Sequence, residues 1–234
     1  EDEPDTTTIY GGFQQTAPSV NSITVLDNGN ILLGDYAATI MYDPQGNYIN
    51  YLDGGNYGSS QMALDGNEMY MLGSSGRGAA NAITVNKYDL SATDFNEPVI
   101  AYPSPAGSSN RYYYNAQLAV EGETLYWMDQ TGIYSYDMSA GDTGEWTEIA
   151  GAELLYITDP DAGLSGLQAD GEGNFYTMLS SYGSGMSTNS FLAITYTTAA
   201  PIEITAELNV YVLSDDYSIR REVSKFRKKN PGVI

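Results

Sequence analysis

A run of three tyrosines between a cation and an amide is the stretch of this sequence best suited to binding chemistry. The stretch "RYYYN" occupies residues 111–115, and another tyrosine lies in the polar segment "SSYGSGMSTNS". Aromatic faces stack on sugar rings, while tyrosine hydroxyls, amides and guanidinium groups can hydrogen-bond a polyol. The alternative is that these tyrosines pack between strands. The candidate ligand-binding residues are Arg111, Tyr112, Tyr113, Tyr114, Asn115 and Tyr182.

Catalysis finds little support in the residue types present. The sequence contains no His and no Cys, so Ser-His-Asp arrangements, Cys-His arrangements and Cys-ligated zinc cannot form. Its 30 acidic residues would bring some pair of carboxylates within glycosidase distance in any fold, so such a pair carries no weight. The arginines of residues 1–207 are Arg77 and Arg111, too few for a sialidase-like cluster. We predict a protein that is not an enzyme, with no catalytic residue, metal or cofactor.

Calcium binding is the alternative that the sequence leaves open. Oxygen donors cluster in "DPDAG", which contains Asp159 and Asp161, and in "DGEGN", which contains Asp170, Glu172 and Asn174. Neither stretch has the donor spacing of an EF-hand loop, and ordinary turn chemistry explains both. The runner-up function is therefore a calcium-dependent hydrolase.

The charge is distributed unevenly along the chain. Of the 30 acidic and 9 basic residues, 27 acidic and 3 basic lie in residues 1–207 (27 − 3 = 24 excess negative charges), and the remaining 3 acidic and 6 basic lie in residues 208–234. A surface this acidic repels nucleic acid phosphates and anionic lipids, although acidity also serves solubility alone. The sequence has no apolar run of the roughly 20 residues that a membrane span needs. We expect neither nucleic acid nor a membrane span.

Four similar hairpins are the elements that would position these residues. Each consists of an apolar strand, an acidic turn with Gly or Asn, and a second apolar strand. Asp-Gly and Asn-Gly turns supply the positive φ angles of tight β-hairpins. The four hairpins are "SITVLDNGNILLGDY" (22–36), "SQMALDGNEMYMLGS" (60–74), "NAQLAVEGETLYWMDQ" (115–130) and "GLQADGEGNFYTMLS" (166–180).

Each hairpin is followed by a third strand with a tyrosine near its end, and three of these are followed by a fourth strand. Four-stranded units at such spacing are typical of propeller blades. We predict an all-β fold, a β-propeller of about four four-stranded blades, with a β-sandwich as the alternative. The predicted segments are an acidic N-terminal spacer (1–19), a propeller (20–207) and a C-terminal strand and helix (208–234); the blades lie near 20–56, 57–108, 109–160 and 161–207.

The first blade, "SITVLDNGNILLGDYAATIMYDPQGNYINYLDGG", resembles NHL-type and related bacterial propeller repeats. In those repeats a D-x-x-G-N turn precedes an apolar strand and a Y-D-x-x-G turn links the outer strands. The longer connections, 73–81, 103–115, 150–165 and 180–190, would project from one side of such a propeller. Long loops on a rigid scaffold commonly carry binding residues.

The C-terminal segment has a different pattern. "ELNVYVL" alternates like a strand, and Ile219, Val223 and Phe226 then form a helical stripe. The segment as a whole resembles the first strand and helix of extracellular solute-binding proteins of ABC importers. In those proteins the helix ends in F-x-K-x-x-P-x-V/I, and "FRKKNPGVI" matches it at Phe226, Lys228, Pro231 and Val233. The alternative is an amphipathic helix that packs on the propeller or mediates assembly.

These resemblances together imply an extracellular, non-catalytic binding module of a solute-binding lipoprotein that serves carbohydrate uptake by an ABC importer. The implied partners are an oligosaccharide or other small solute, the attached solute-binding domain and an ABC permease. The implied location is the outside of the cell, with anchoring to the envelope through a lipoprotein N-terminus. A protein-interaction scaffold is a further alternative.

Overall fold

The computed structural model of the chain is mostly β-structure, as the hairpin pattern predicts. The structure describes residues 20, 22–34, 38–53, 62–75, 82–92, 95–106, 116–151, 155, 163–183 and 186–195, and in the C-terminal segment residues 205–209, 211, 222–223, 226, 229–230 and 233.

Four small antiparallel sheets are arranged in a ring, like the blades of a four-bladed β-propeller. Blade 1 comprises β1 (Ser22–Val25), β2 (Ile31–Gly34), β3 (Ala38–Tyr42) and β4 (Tyr48–Asp53). Blade 2 comprises β5 (Met62–Asp65), β6 (Glu68–Ser75), β7 (Ala82–Asp89) and β8 (Ile100–Pro103). In both blades the strands pair in chain order.

Blade 3 comprises β9 (Gln117–Glu121), β10 (Thr124–Asp129), β11 (Gly132–Asp137) and β12 (Thr147–Gly151), with a 3₁₀ helix (Met138–Thr143) between its last two strands. Within the described residues blade 4 has three strands, β13 (Gly163–Ala169), β14 (Asn174–Gly183) and β15 (Met186–Thr195). The all-β propeller prediction is therefore confirmed.

The core lies between successive blades, because alternating side chains of each strand point to the two faces of its sheet. Leu32 and Met41 of blade 1 pack against Met69 of blade 2. The next interface is aromatic: Trp127 and Tyr136 of blade 3 belong to it, together with the blade 2 side chains Tyr70 and Tyr102. Between blades 3 and 4 the buried side chains are Ala119, Met128, Ile133, Leu155, Leu164, Leu167 and Phe175.

Among the described residues, side-chain-to-backbone hydrogen bonds join neighbouring blades. Trp146 Nε1 of blade 3 donates to the carbonyl oxygen of Pro103 in blade 2 over 2.6 Å. The amide nitrogen of Gly166 in blade 4 donates to Gln117 Oε1 of blade 3 over 2.7 Å. The two tryptophan rings, Trp127 and Trp146, meet edge to face with centroids 6.1 Å apart. Both tryptophans thus contribute to packing.

The described C-terminal residues include a helical portion and one parallel bridge. The predicted strand "ELNVYVL" is wrong for its described residues, because Glu207, Leu208, Asn209 and Tyr211 have no regular secondary structure. Glu222, Val223, Phe226 and Lys229 are helical. Ala206 and Val233 form an isolated parallel β-bridge. Among the described residues, no helix has the length and apolar character that a membrane span needs.

Candidate functional site

Of the six predicted binding residues, one lies within the described part of the chain. Arg111, Tyr112, Tyr113, Tyr114 and Asn115 lie outside the described residues. The sixth predicted residue, Tyr182, lies in β14, where its Cα is paired with that of Ser187. Their common binding role stays a prediction.

The predicted long loop at 180–190 is largely an extension of a β-hairpin. β14 and β15 pair continuously from Asn174 opposite Thr195 to Gly183 opposite Met186. Glycine and serine in this stretch favour a loop locally, but antiparallel pairing satisfies the backbone groups along its length. The loop prediction is wrong for all but the tip of this segment, and Tyr182 belongs to a strand.

The "DGEGN" cluster uses its oxygens to close a turn. Asp170 Oδ1 accepts hydrogen bonds from the amide nitrogens of Glu172 (2.9 Å) and Asn174 (3.0 Å). Its second oxygen, Oδ2, accepts from Asn174 Nδ2 over 2.6 Å. Gly173 has a φ of 89°, which glycine adopts without strain. The hydrogen bond from the Asn174 side chain is the main cause that lowers the pKa of Asp170, because it stabilises the carboxylate.

The turn between β3 and β4 repeats this arrangement. Asp43 accepts from the amide nitrogens of Gln45 (2.9 Å) and Asn47 (2.7 Å), and from Asn47 Nδ2 over 2.7 Å. The pKa of Asp43 is lowered for the same reason, with the Asn47 side chain as the largest cause. Two blades thus share one turn chemistry. The repeated carboxylate therefore has a structural role that needs no ion.

The calcium hypothesis concerns two acidic stretches, and the structure describes the one that contains Asp170. In the part of the chain that the structure describes, no three acidic side chains come together in a way that could hold a metal ion. Asp159 and Asp161 of the other acidic stretch lie outside that part.

A buried carboxylate closes the turn between β10 and β11. Asp129 has no exposed surface. Its Oδ2 accepts from Trp127 Nε1 over 2.9 Å, and its Oδ1 accepts from the amide nitrogen (2.6 Å) and the hydroxyl of Thr131. Tyr134 donates in turn to Thr131 Oγ1 over 3.0 Å. These donors fix the carboxylate in place, so the arrangement reads as structural.

The described ion pair in blade 2 is partly exposed and contacts the buried Tyr70. Lys87 Nζ lies 2.6 Å from Glu68 Oε1, and the Tyr70 hydroxyl donates to Glu68 Oε2 over 2.7 Å. Burial alone would raise the pKa of Glu68, but the hydrogen bonds from Lys87 and Tyr70 lower it overall. Burial, followed by this contact with Glu68, raises the pKa of Tyr70. A tyrosine held protonated in this way is a poor general base.

A tyrosine cluster on blade 1 is the aromatic site that sequence reasoning missed. Tyr48 and Tyr51 are three residues apart, a spacing that places side chains on opposite faces of a regular strand. The β3–β4 register shifts by one residue, so that Tyr42 pairs with Tyr48 while Ile40 pairs with Tyr51. This bulge brings both β4 tyrosines to the face that carries Tyr42. The sequence did contain a signal for this cluster. The three-residue spacing of Tyr48 and Tyr51 interrupts the two-residue alternation of a regular strand.

Comparison with known proteins yields distant structural neighbours. No family model matches the chain, and no curated protein matches it. The crystal structure of a eukaryotic initiation factor is 11% identical, with 84% of this chain and 47% of that one covered and a TM-score of 0.38. The extracellular domain of a hybrid two-component system from B. thetaiotaomicron is 16% identical, with 82% and 25% covered and a TM-score of 0.40. The chain thus spans less than half the length of either neighbour.

Proposed function

We propose that this chain is a non-catalytic binding module, a β-propeller that belongs to an extracellular solute-binding lipoprotein and serves carbohydrate uptake by an ABC importer. The observation that carries the non-catalytic part is the use of the described polar groups. Asp170 and Asp43 close turns, Asp129 is enclosed by donors, and Glu68 is paired with Lys87. Acids committed to such contacts are poorly placed to exchange protons with a substrate.

The choice of carbohydrate rests on residue chemistry. Tyrosine faces and hydroxyls suit sugar rings, and the excess of acidic over basic residues disfavours polyanionic ligands. The run Arg111, Tyr112, Tyr113, Tyr114 and Asn115, with Tyr182, is the proposed binding set.

The link to a solute-binding domain rests on the C-terminal segment. Among the described residues of this segment, Ala206 and Val233 flank the helical residues and form an isolated parallel bridge. Parallel strands require a crossover connection, commonly a helix, and the proposal is that this segment opens such a β-α-β unit. The proposed partners are the attached domain and an ABC permease, and the proposed location is the cell envelope. The resemblance of blade 1 to NHL-type repeats belongs to the same proposal.

The test is calorimetric titration of the intact chain with neutral hexasaccharides of glucose, xylose and mannose, followed by chromatography of the recovered sugar. We expect binding without cleavage. The triple variant Tyr112→Ala/Tyr113→Ala/Tyr114→Ala should weaken the binding, whereas Tyr10→Ala, a tyrosine of the acidic N-terminal segment, serves as the control. Cleaved sugar would refute the non-catalytic proposal. No heat of binding with any of the sugars would refute the carbohydrate proposal.

A further inference from the structure

We propose that blade 1 carries a second binding site, formed by Tyr42, Tyr48 and Tyr51, for the flat face of a neutral sugar ring. This inference rests on the proposed carbohydrate function and assigns to it a second set of residues, none of which belongs to 111–115. The site is built from described residues of β3 and β4.

The first argument is exposure. Tyr48 and Tyr51 are 49% and 37% exposed, whereas Tyr70 and Tyr136 of the inter-blade core are almost completely buried. An exposed tyrosine presents a ring face that packing has not used. The two β4 rings therefore differ from the tyrosines that hold the blades together.

The second argument is mutual geometry. The Tyr42 and Tyr48 rings meet edge to face, with centroids 6.3 Å apart and planes at 78°. The edge of one ring thus packs on the neighbouring ring and restricts the rotation of both side chains. Less side-chain entropy is then lost when a ligand binds. Desolvation raises the pKa of Tyr48, with smaller contributions from Tyr51 and Tyr42, so its hydroxyl remains a hydrogen-bond donor through neutral pH.

The third argument is the surroundings of the cluster. The pairing register places two rows of residues across this face of blade 1, and none of the eight is charged. The rows are Val25, Ile31, Tyr42 and Tyr48, and Ile23, Leu33, Ile40 and Tyr51. Ile23 and Val25 at the end of each row are 68% and 66% exposed. These eight positions form an uncharged, partly aromatic patch on a protein of net charge −21, and the next pair on this face, Ala38 with Asp53, brings in an acidic residue.

Charge and area decide which occupant fits. A second copy of this chain would bring another net charge of −21, and an anionic glycan would meet the same repulsion. Two half-exposed tyrosine rings and two aliphatic side chains amount to roughly 400 Å², against the ~800 Å² per partner of a standard protein interface. A neutral saccharide needs far less area and can use both ring faces and hydroxyls.

The experiment is calorimetric titration of the intact chain with the same neutral hexasaccharides, and with hexagalacturonate as the anionic probe. Tyr48→Ala and Tyr51→Ala should each weaken binding of the neutral sugar by roughly tenfold, the loss of one stacking contact. Tyr48→Trp should retain binding because it keeps an aromatic face. The matched control is Tyr211→Ala, since Tyr211 is 93% exposed and lies in the C-terminal segment.

The outcomes separate this site from the proposed function. Neutral-sugar binding that is weakened by Tyr48→Ala and Tyr51→Ala, and unchanged by Tyr211→Ala, supports the blade 1 site. Binding that only the Tyr112–Tyr114 triple variant weakens leaves the carbohydrate function standing and overturns this site. Preference for hexagalacturonate, or absence of binding to every probe, also overturns it. The site is also overturned if light scattering shows a dimer that Tyr48→Ala converts to a monomer. In that case the tyrosine cluster binds a second copy of the chain.

Discussion

Asp129 is a buried carboxylate that accepts three hydrogen bonds, so its replacement is a sensitive test of the fold. Asp129→Ala would leave Trp127 Nε1 and the Thr131 amide nitrogen without their acceptor. A buried group deprived of its partner costs about 1–3 kcal/mol. We expect a free energy of unfolding lower by about 3 kcal/mol, measured by urea denaturation.

Two companion variants show whether the loss comes from these hydrogen bonds. Asp129→Asn keeps an acceptor oxygen and should lose less stability than Asp129→Ala. Glu145→Ala removes an exposed carboxylate from the same blade and should change stability little. Equal losses for Asp129→Ala and Glu145→Ala would contradict the structural role of Asp129.

Single residues differ in how well sequence alone predicts their roles. The turn role of Asp170 could be predicted, because an Asp followed by Gly and Asn commonly accepts hydrogen bonds from the backbone of the same turn. The exposure of Tyr48 could not be predicted, because it depends on a register shift against β3 and on what covers the blade. Those are long-range properties that local residue chemistry does not encode.

The contribution of an inter-blade hydrogen bond to stability can be tested at Trp146, which donates to the Pro103 carbonyl. Trp146→Phe removes the donor to the Pro103 carbonyl and keeps most of the ring packing against Tyr136. We expect a free energy of unfolding lower by about 1 kcal/mol, the net value of one hydrogen bond. Trp146→Ala also removes the packing and should cost about 3 kcal/mol or more. Equal losses for the two variants would show that the hydrogen bond and the ring packing are not separable.

The turns give the protein a specific sensitivity to acid. The pKa values of Asp43, Asp89, Asp137 and Asp170 lie below the ordinary 3.8, chiefly because side-chain hydrogen bonds stabilise their carboxylates. A group whose pKa is lower in the folded state stabilises the fold above its unfolded pKa, and this stabilisation is lost as pH falls through the folded value. We expect the free energy of unfolding to fall below about pH 4.

The acid response can be assigned by substitution. Asp170→Asn retains an oxygen that can accept from the turn but does not titrate, so it should reduce the loss of stability below about pH 4. Glu172→Gln is the control, because the Glu172 side chain is exposed and its backbone, rather than its carboxylate, meets Asp170. Urea denaturation at a series of pH values measures both. An unchanged acid response in Asp170→Asn would contradict the assignment.

At the level of strands and turns, sequence prediction succeeds where local chemistry decides and fails where pairing decides. The tight turns at Asp27 and Asp65 follow from Asp, Asn and Gly at fixed positions. The stretch at 180–190 has the composition of a loop, yet β14 and β15 continue through most of it. Pairing with a neighbouring strand of the same length can hold Ser and Gly in an extended conformation. That pairing is a property of the folded sheet and not of the local sequence.

The ring of four blades was predictable as a whole because the repeat is a property of the complete sequence. Each repeat has apolar residues on its sheet faces, and stacking neighbouring sheets buries the faces that meet. The contacts that join blades, such as Gln117 with Gly166, link positions 49 residues apart. No local pattern identifies such pairs, so the repeat predicts the architecture and leaves its individual contacts open.

The net charge of −21 makes a last prediction at the scale of the whole molecule. Self-repulsion among like charges destabilises a compact state, and added salt screens it. The melting temperature should therefore rise between about 10 mM and about 0.5 M NaCl. Because divalent cations screen more strongly than sodium, the test for calcium compares CaCl₂ with MgCl₂ at equal concentration. We expect equal shifts from the two salts in differential scanning fluorimetry. A saturable rise with CaCl₂ alone would establish a calcium site and restore the hydrolytic alternative, since screening by itself does not distinguish the two ions.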